Sequence, residues 1–186
     1  MLDTDQFIED CTSALAEPGP QLAVKDVLAR ALAAPAEVEA ALPVTRAELT
    51  AIHRSPELTI LKVVWAPGMR IPPHDHRMWA TIGIYGGGED NTFYRRAEEG
   101  IVTAGGRELR TRETLMLGDD VIHSVTNPRQ HELTGSIHIY GGDYFGVPRS
   151  LWDAETLEEG PAYGARLQQL FEDANARLTA SDPGAG

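Results

Sequence analysis

The chain has 186 residues, 42% of them hydrophobic and 24% charged, with a formal net charge of −12 and an isoelectric point near 4.8. That is the composition of a globular chain long enough for one core, and its acidity argues against nucleic acid or an anionic membrane as partners. Cys11 is the only cysteine, which excludes an intramolecular disulfide and a cysteine-based zinc site. The start, MLDTDQFIED, lacks the basic-then-apolar pattern of a signal peptide. No apolar run approaches the roughly 18 to 20 residues that span a bilayer, so a cytoplasmic location is expected.

Residues 1–50 read as helical. Val24, Val27, Leu28, Ala31 and Leu32 form one apolar stripe at helical spacing, and EPGP at 17–20 separates it from an earlier helix around Phe7, Ile8 and Leu15. Cys11 falls on that earlier helix and reads as a small hydrophobe. From about Glu57 the texture becomes β-branched and aromatic: ELTILKVVWA (57–66) reads as a strand ended by Pro67-Gly68. WATIGIY (79–85) and NTFYRR (91–96) flank GGGED, which suggests a hairpin with GGED (87–90) as its turn. Short strands follow around 101–104, 107–116, 120–126 and 133–140, and such spacing suggests a sandwich or closed barrel. Leu167, Leu170, Phe171, Ala174 and Leu178 restore the helical period before a frayed tail, SDPGAG. The expectation is a single mainly-β domain over 1–186: a helical part at 1–50, a barrel at about 51–147 and a helical segment at about 150–180.

The chemistry-bearing residues are histidines. In Pro72-Pro73-His74-Asp75-His76, residues two apart share one strand face, so His74 and His76 can meet one ion; a metal-free surface pair fits the same spacing. His123, in DDVIHSVTN, is a third imidazole that barrel closure could bring opposite the pair. Imidazoles suit iron, zinc, copper or nickel and do not name the metal. In SIHIY, Ser136, His138 and Tyr140 share a face, either as a hydrogen-bonded relay or as plain alternation on a solvated strand. His53 and His131 read as surface loop residues, and Asp119 and Asp120 as part of a turn beside His123.

Residues 68–76, a glycine, five residues and His-Asp-His, resemble the first cupin motif, and Gly87 falls where that motif ends. LGDDVIHSVTN (117–127) resembles the second motif, without its usual proline and glycine. Ala80 stands where many cupins carry a glutamate ligand. With DDVIHSVTN and SIHIY, this resembles the cysteine dioxygenase type I group of thiol dioxygenases, over about residues 50–145. The resemblance implies a cupin (double-stranded β-helix) barrel with N-terminal helices and a C-terminal helix. It implies one Fe(II) on His74, His76 and His123, with zinc, nickel or copper possible in a purified sample. It further implies a Ser136-His138-Tyr140 relay, and S-dioxygenation of a small thiol such as cysteine or 3-mercaptopropionate, with O2, to a sulfinic acid. Arg54 is the positional match for the family's carboxylate-gripping arginine, with Arg70, Arg77, Arg95 and Arg96 as rivals; Arg77 and Trp79 are further candidates to line the substrate site. No cysteine–tyrosine cross-link is expected, as in bacterial relatives. A metal-dependent oxygenase or lyase with a non-thiol substrate, and a non-catalytic metal- or ligand-binding cupin, remain alternatives. The chain is expected to be a monomer or small homo-oligomer.

Overall fold

The computed structural model describes residues 1–162 and 164–181. Three helices come first: α1 (Thr4–Ala14), α2 (Pro20–Leu32) and α3 (Pro35–Ala41). Asp3 caps α1 by accepting from the Gln6 N–H at 3.1 Å. Pro20 and Pro35 open α2 and α3, where a missing N–H breaks no helical bond. Cys11 is buried on α1, and burial pushes its thiol up to about 12, so it packs as a neutral side chain.

Eleven strands and a final helix follow among the described residues: β1 (Glu48–Arg54), β2 (Thr59–Trp65), β3 (Arg70–Asp75), β4 (Ala80–Gly86), β5 (Gly88–Ala97), β6 (Gly100–Arg110), β7 (Thr114–Leu117), β8 (Ile122–Thr126), β9 (Thr134–Tyr140), β10 (Ser150–Trp152), β11 (Glu159–Pro161) and α4 (Gly164–Ser181). They form two antiparallel sheets, ordered β1-β2-β9-β4-β7 and β11-β10-β3-β8-β5-β6. This is the mainly-β architecture expected of a double-stranded β-helix, with helices before it and one after. Among the described residues no helix is long and apolar enough to cross a membrane.

The hairpin expected across GGGED does not form. β4 pairs with β7 and β9, whereas β5 pairs with β6 and β8, so the chain changes sheets at residues 86–88. Gly87 makes that crossing at φ +81°, and a Cβ there would lie 2.4 Å from the Thr134 hydroxyl oxygen. The same hydroxyl holds the Gly88 backbone at both ends, 3.0 Å from its N–H and 2.8 Å from its C=O. GGED is therefore a sheet switch, and Glu89 is fully buried on β5.

Other boundaries move as well. Residues 48–50 belong to β1, whose pairing with β2 overrides the helical reading there. Residues 150–152 and 159–161 are strands, so the C-terminal helix starts only at Gly164. The stretch 107–116 is split, its first part continuing β6 from Gly100. Residues 182–186 of the tail expected to fray lie outside the described residues.

Strand β9 divides two apolar cores. Ile137 and Ile139 face outward, into a cluster with Val24, Leu28 and Leu32 of α2. Gly83 of β4 lets α2 close on the sheet, since a Cβ there would lie 2.6 Å from Leu32 and 2.7 Å from Leu28. Burying each such leucine contributes about 1.5–3 kcal/mol. The other face of β9 looks into the barrel interior, where Val63, Trp65, Ile82 and Phe171 pack.

Candidate metal centre

Antiparallel pairing of β3 with β8 sets His74 opposite His123, after a register shift between Ile71 and His74 that spans the two prolines. His76 lies just past the end of β3. The three imidazoles converge, with one candidate ligand nitrogen from each lying within 4.8 Å of the others. The His74 Nδ1 is 3.0 Å from the Pro72 carbonyl, an acceptor only, so Nδ1 carries the proton and Nε2 is bare. The His123 Nδ1 is 2.7 Å from the Asn91 Oδ1, which fixes the same tautomer. The Nε2 atoms of His123 and His76 then face each other at 3.4 Å. Burial, above all, brings the His74 imidazole down to about 4 and holds those of His76 and His123 well below their ordinary value. The His76 Nδ1 is buried without a hydrogen-bond partner, so its tautomer is not fixed by the protein. Three neutral imidazoles, two of them with bare nitrogens set by their partners, fit a divalent transition metal. Ala80 supplies no carboxylate, and Asp119 and Asp120 sit in an exposed turn.

Ser136, His138 and Tyr140 are all buried on the interior face of β9, which replaces the solvated-strand alternative. The proton directions follow from the last acceptor. Ser136 donates its single hydroxyl proton to the Val63 carbonyl at 3.1 Å, so its Oγ must accept from the His138 Nε2–H at 3.0 Å. In the neutral imidazole, His138 Nδ1 is then an acceptor for the Tyr140 hydroxyl, 3.3 Å away. The Tyr140 ring packs edge-on to His76 at 5.0 Å. Burial holds its phenol well above its ordinary value, so it stays protonated.

A cavity of about 40 Å³ opens beside this group, lined by His74, His123, His138, Tyr140, Tyr144 and Arg149, among others. α4 helps to cover it: Phe171 stacks on Trp65 at 5.6 Å, and the Asn175 amide both accepts from and donates to the Ala47 backbone. A larger groove of about 1060 Å³, lined by Arg77, Arg95 and Asp119, is an open surface feature containing none of the three histidines.

The expected substrate-binding residues lie elsewhere. Arg54 is exposed at the end of β1, where it makes two hydrogen bonds to Asp143, at 2.8 and 2.9 Å, and stacks on Phe145. It does not line the cavity, because its carboxylate partner holds it on the outside. Trp79 packs on the helix side, against the cluster of α1 and α2, where the absence of a Cβ on Gly141 makes room for its ring. Arg77, at φ +54°, bridges Asp75 at 3.2 Å and the Ser150 hydroxyl at 2.9 Å. His53 is a half-buried strand residue rather than a loop residue, whereas His131 is exposed at a bend.

Two arginines that sequence reasoning missed do line the cavity, Arg149 and Arg166; Arg166 is paired with Asp153 at 3.4 Å, which leaves Arg149 as the candidate for a substrate carboxylate. The Arg149 guanidinium lies 3.8 Å from the Tyr144 ring centre, and among the described residues it has no carboxylate partner. The neighbouring Ser150 is clamped by Asp75, Arg77 and Glu159, and this fixes the start of β10. Glu89 was missed as well. Its carboxylate accepts from the Trp65 indole at 2.7 Å and the Asn91 amide at 3.0 Å, and lies 3.4 Å from the His138 Nε2. The alternation of Glu89, Asn91 and Phe93 along β5 was the available signal, hidden by the glycine run before it.

No protein-family model matches the chain. Solved structures similar to it include an RmlC-like cupin family protein with a double-stranded β-helix fold from Methanocaldococcus jannaschii, at 11% identity and a TM-score of 0.46, covering 55% of this chain and 86% of that one. A cupin superfamily protein from Desulfitobacterium hafniense is similar at 18% identity and a TM-score of 0.45, over 56% and 87% of the two chains. Peruvianin-I, a cysteine peptidase from Thevetia peruviana latex, is similar at 15% identity and a TM-score of 0.39, over 46% of this chain. The chain spans about half of peruvianin-I, 51% of its length.

Proposed function

We propose that this chain is an Fe(II)-dependent dioxygenase that converts a small acidic thiol, of the 3-mercaptopropionate or cysteine type, to its sulfinic acid with O2. The observation that carries the reading is the convergence of three neutral imidazoles, without a carboxylate, beside a small cavity that is lined by two of them, His74 and His123, and by Tyr140 and Arg149. When bound by His74, His76 and His123, Fe(II) supplies open positions at which a thiol and dioxygen can meet.

The protein's own residues supply the rest. Arg149 offers a planar fork to a carboxylate, and its stacking on Tyr144 sets the angle of approach. The Tyr140 proton is directed to His138, which leaves the phenol oxygen free to accept from a group on the substrate. Trp65, Phe171 and Leu167 keep the site largely dry.

Oxygen uptake by the Fe(II)-loaded protein, with a panel of small thiol acids, tests this reading. One O2 consumed per sulfinate formed is expected, and no uptake with any of them would sink it. The position of Arg54 outside the cavity favours a second reading, an oxygenase or lyase of the same metal centre acting on a small non-thiol acid. Turnover of such an acid, without thiol activity, would select it.

A further inference from the structure

Three neutral histidines around a divalent ion leave its charge without a protein counter-charge. Two carboxylates near the centre are buried. Asp75, between His74 and His76, is tied to Arg77 and Ser150, whereas Glu89 lies at the start of β5 on the interior side of the sheet switch. Both of its strong partners, the Trp65 indole N–H and the Asn91 side-chain NH2, are groups that only donate. Each Glu89 oxygen must therefore accept, and the ionised carboxylate is the form that does so at both ends. Against the opposing effect of burial, the nearby His138 imidazole first, and then the Asn91 and Trp65 hydrogen bonds, hold its carboxyl below the ordinary carboxylate range.

A directional consequence runs from Glu89 to the centre. Because Oε1 accepts from the Asn91 NH2, the Asn91 amide must present its oxygen to His123. That oxygen accepts the Nδ1 proton of His123, and the imidazole is left with a bare Nε2 facing His76. Through its other oxygen, Glu89 holds Trp65 in the cavity wall and lies within 3.4 Å of the relay histidine.

We infer that Glu89 is a positioning residue that sets the ligand tautomer of His123 through Asn91, while tying the metal side of the cavity to Trp65 and His138. The inference rests on the three-histidine reading of the centre but not on the identity of the substrate. Glu89→Gln is nearly isosteric yet must place an NH2 against one of two donors. Either Asn91 turns over and presents its own NH2 to His123, moving the imidazole proton to Nε2, or the Trp65 bond is lost.

Co(II) titration against a chromophoric chelator and 15N spectra of the histidine side chains test the inference. In the metal-free wild-type chain, His123 is expected to carry its proton on Nδ1; a proton on Nε2 would overturn the inference, whatever any variant does. Glu89→Gln is expected to weaken Co(II) binding by about 10- to 100-fold and to change the His123 nitrogen shifts. Glu89→Asp, which keeps acceptor-only oxygens, should bind more tightly than Glu89→Gln. A folded Glu89→Gln chain with wild-type Co(II) affinity and unchanged His123 shifts would contradict the proposal. Failure of the wild-type chain to bind Co(II) would instead sink the metal-centre reading on which the inference depends. Absence of thiol oxidation would leave both of these readouts standing.

Discussion

The two faces of β9 are built by different physics from alternate residues of one strand. On the outer face, Ile137 and Ile139 meet the leucines of α2, and the requirements are volume and shape. On the inner face, Ser136, His138 and Tyr140 form a chain in which every proton direction follows from one backbone carbonyl. The outer face tolerates many apolar solutions at some cost in stability. The inner face has few, because an exchanged donor leaves a buried group unpaired. Stability should therefore be lost on one side of the strand and function on the other.

The largest expected effect on the outer face is that of Leu28→Ala. Removing this fully buried side chain should cost about 2–5 kcal/mol in urea unfolding while leaving Co(II) affinity unchanged. A parallel loss of metal affinity would break the separation of the two faces. On the cavity side, Arg149→Ala should raise KM for a thiol acid by about tenfold or more, since a hydrogen bond to a charged group contributes about 1.5–3 kcal/mol. Its effect on thermal stability should be small, because Arg149 has no ion-pair partner among the described residues.

The clamp behind Arg149 has its own pH signature. The Glu159 carboxyl is brought down to about 2, first by the Arg96 guanidinium and then by the Ser150 hydroxyl. A depressed folded-state value means that the stabilisation is present above the ordinary 4.5 and is lost as pH falls through about 2. Melting temperatures of the wild type and of Glu159→Gln should thus differ near neutrality and converge toward pH 2, with salt shrinking the difference because the pair is exposed. The smallest effect is expected for Arg54→Ala. Its exposed bridge to Asp143 contributes about 0–1 kcal/mol, and KM should stay within about twofold of wild type. A large rise in KM would return Arg54 to the substrate site.

Legibility in the sequence followed the same division. The β-rich texture and the stripe of α2 identify themselves by period, and His74, His76 and His123 are found from strand alternation with one long-range closure. Glu89 was concealed because GGGED has turn composition, whereas the glycines serve a change of sheet held by Thr134. Arg149 precedes a strand of three residues in GVPRS, where no periodicity marks a face; only the Ser150 clamp and the Tyr144 ring place it. Arg54 looked suitable by position, but a carboxylate far along the chain, Asp143, takes up its guanidinium. Local pattern thus reports ligands that share a strand, and leaves tertiary partners of single charged residues unread.

X-ray absorption of the Fe(II)-loaded chain, before and after addition of 3-mercaptopropionate, tests the central claim most directly. The expected result is one iron per chain with imidazole scattering from three histidines, and a new sulfur neighbour once the thiol is present. Iron bound well below one per chain, or a spectrum that gains no sulfur at saturating thiol, would contradict it.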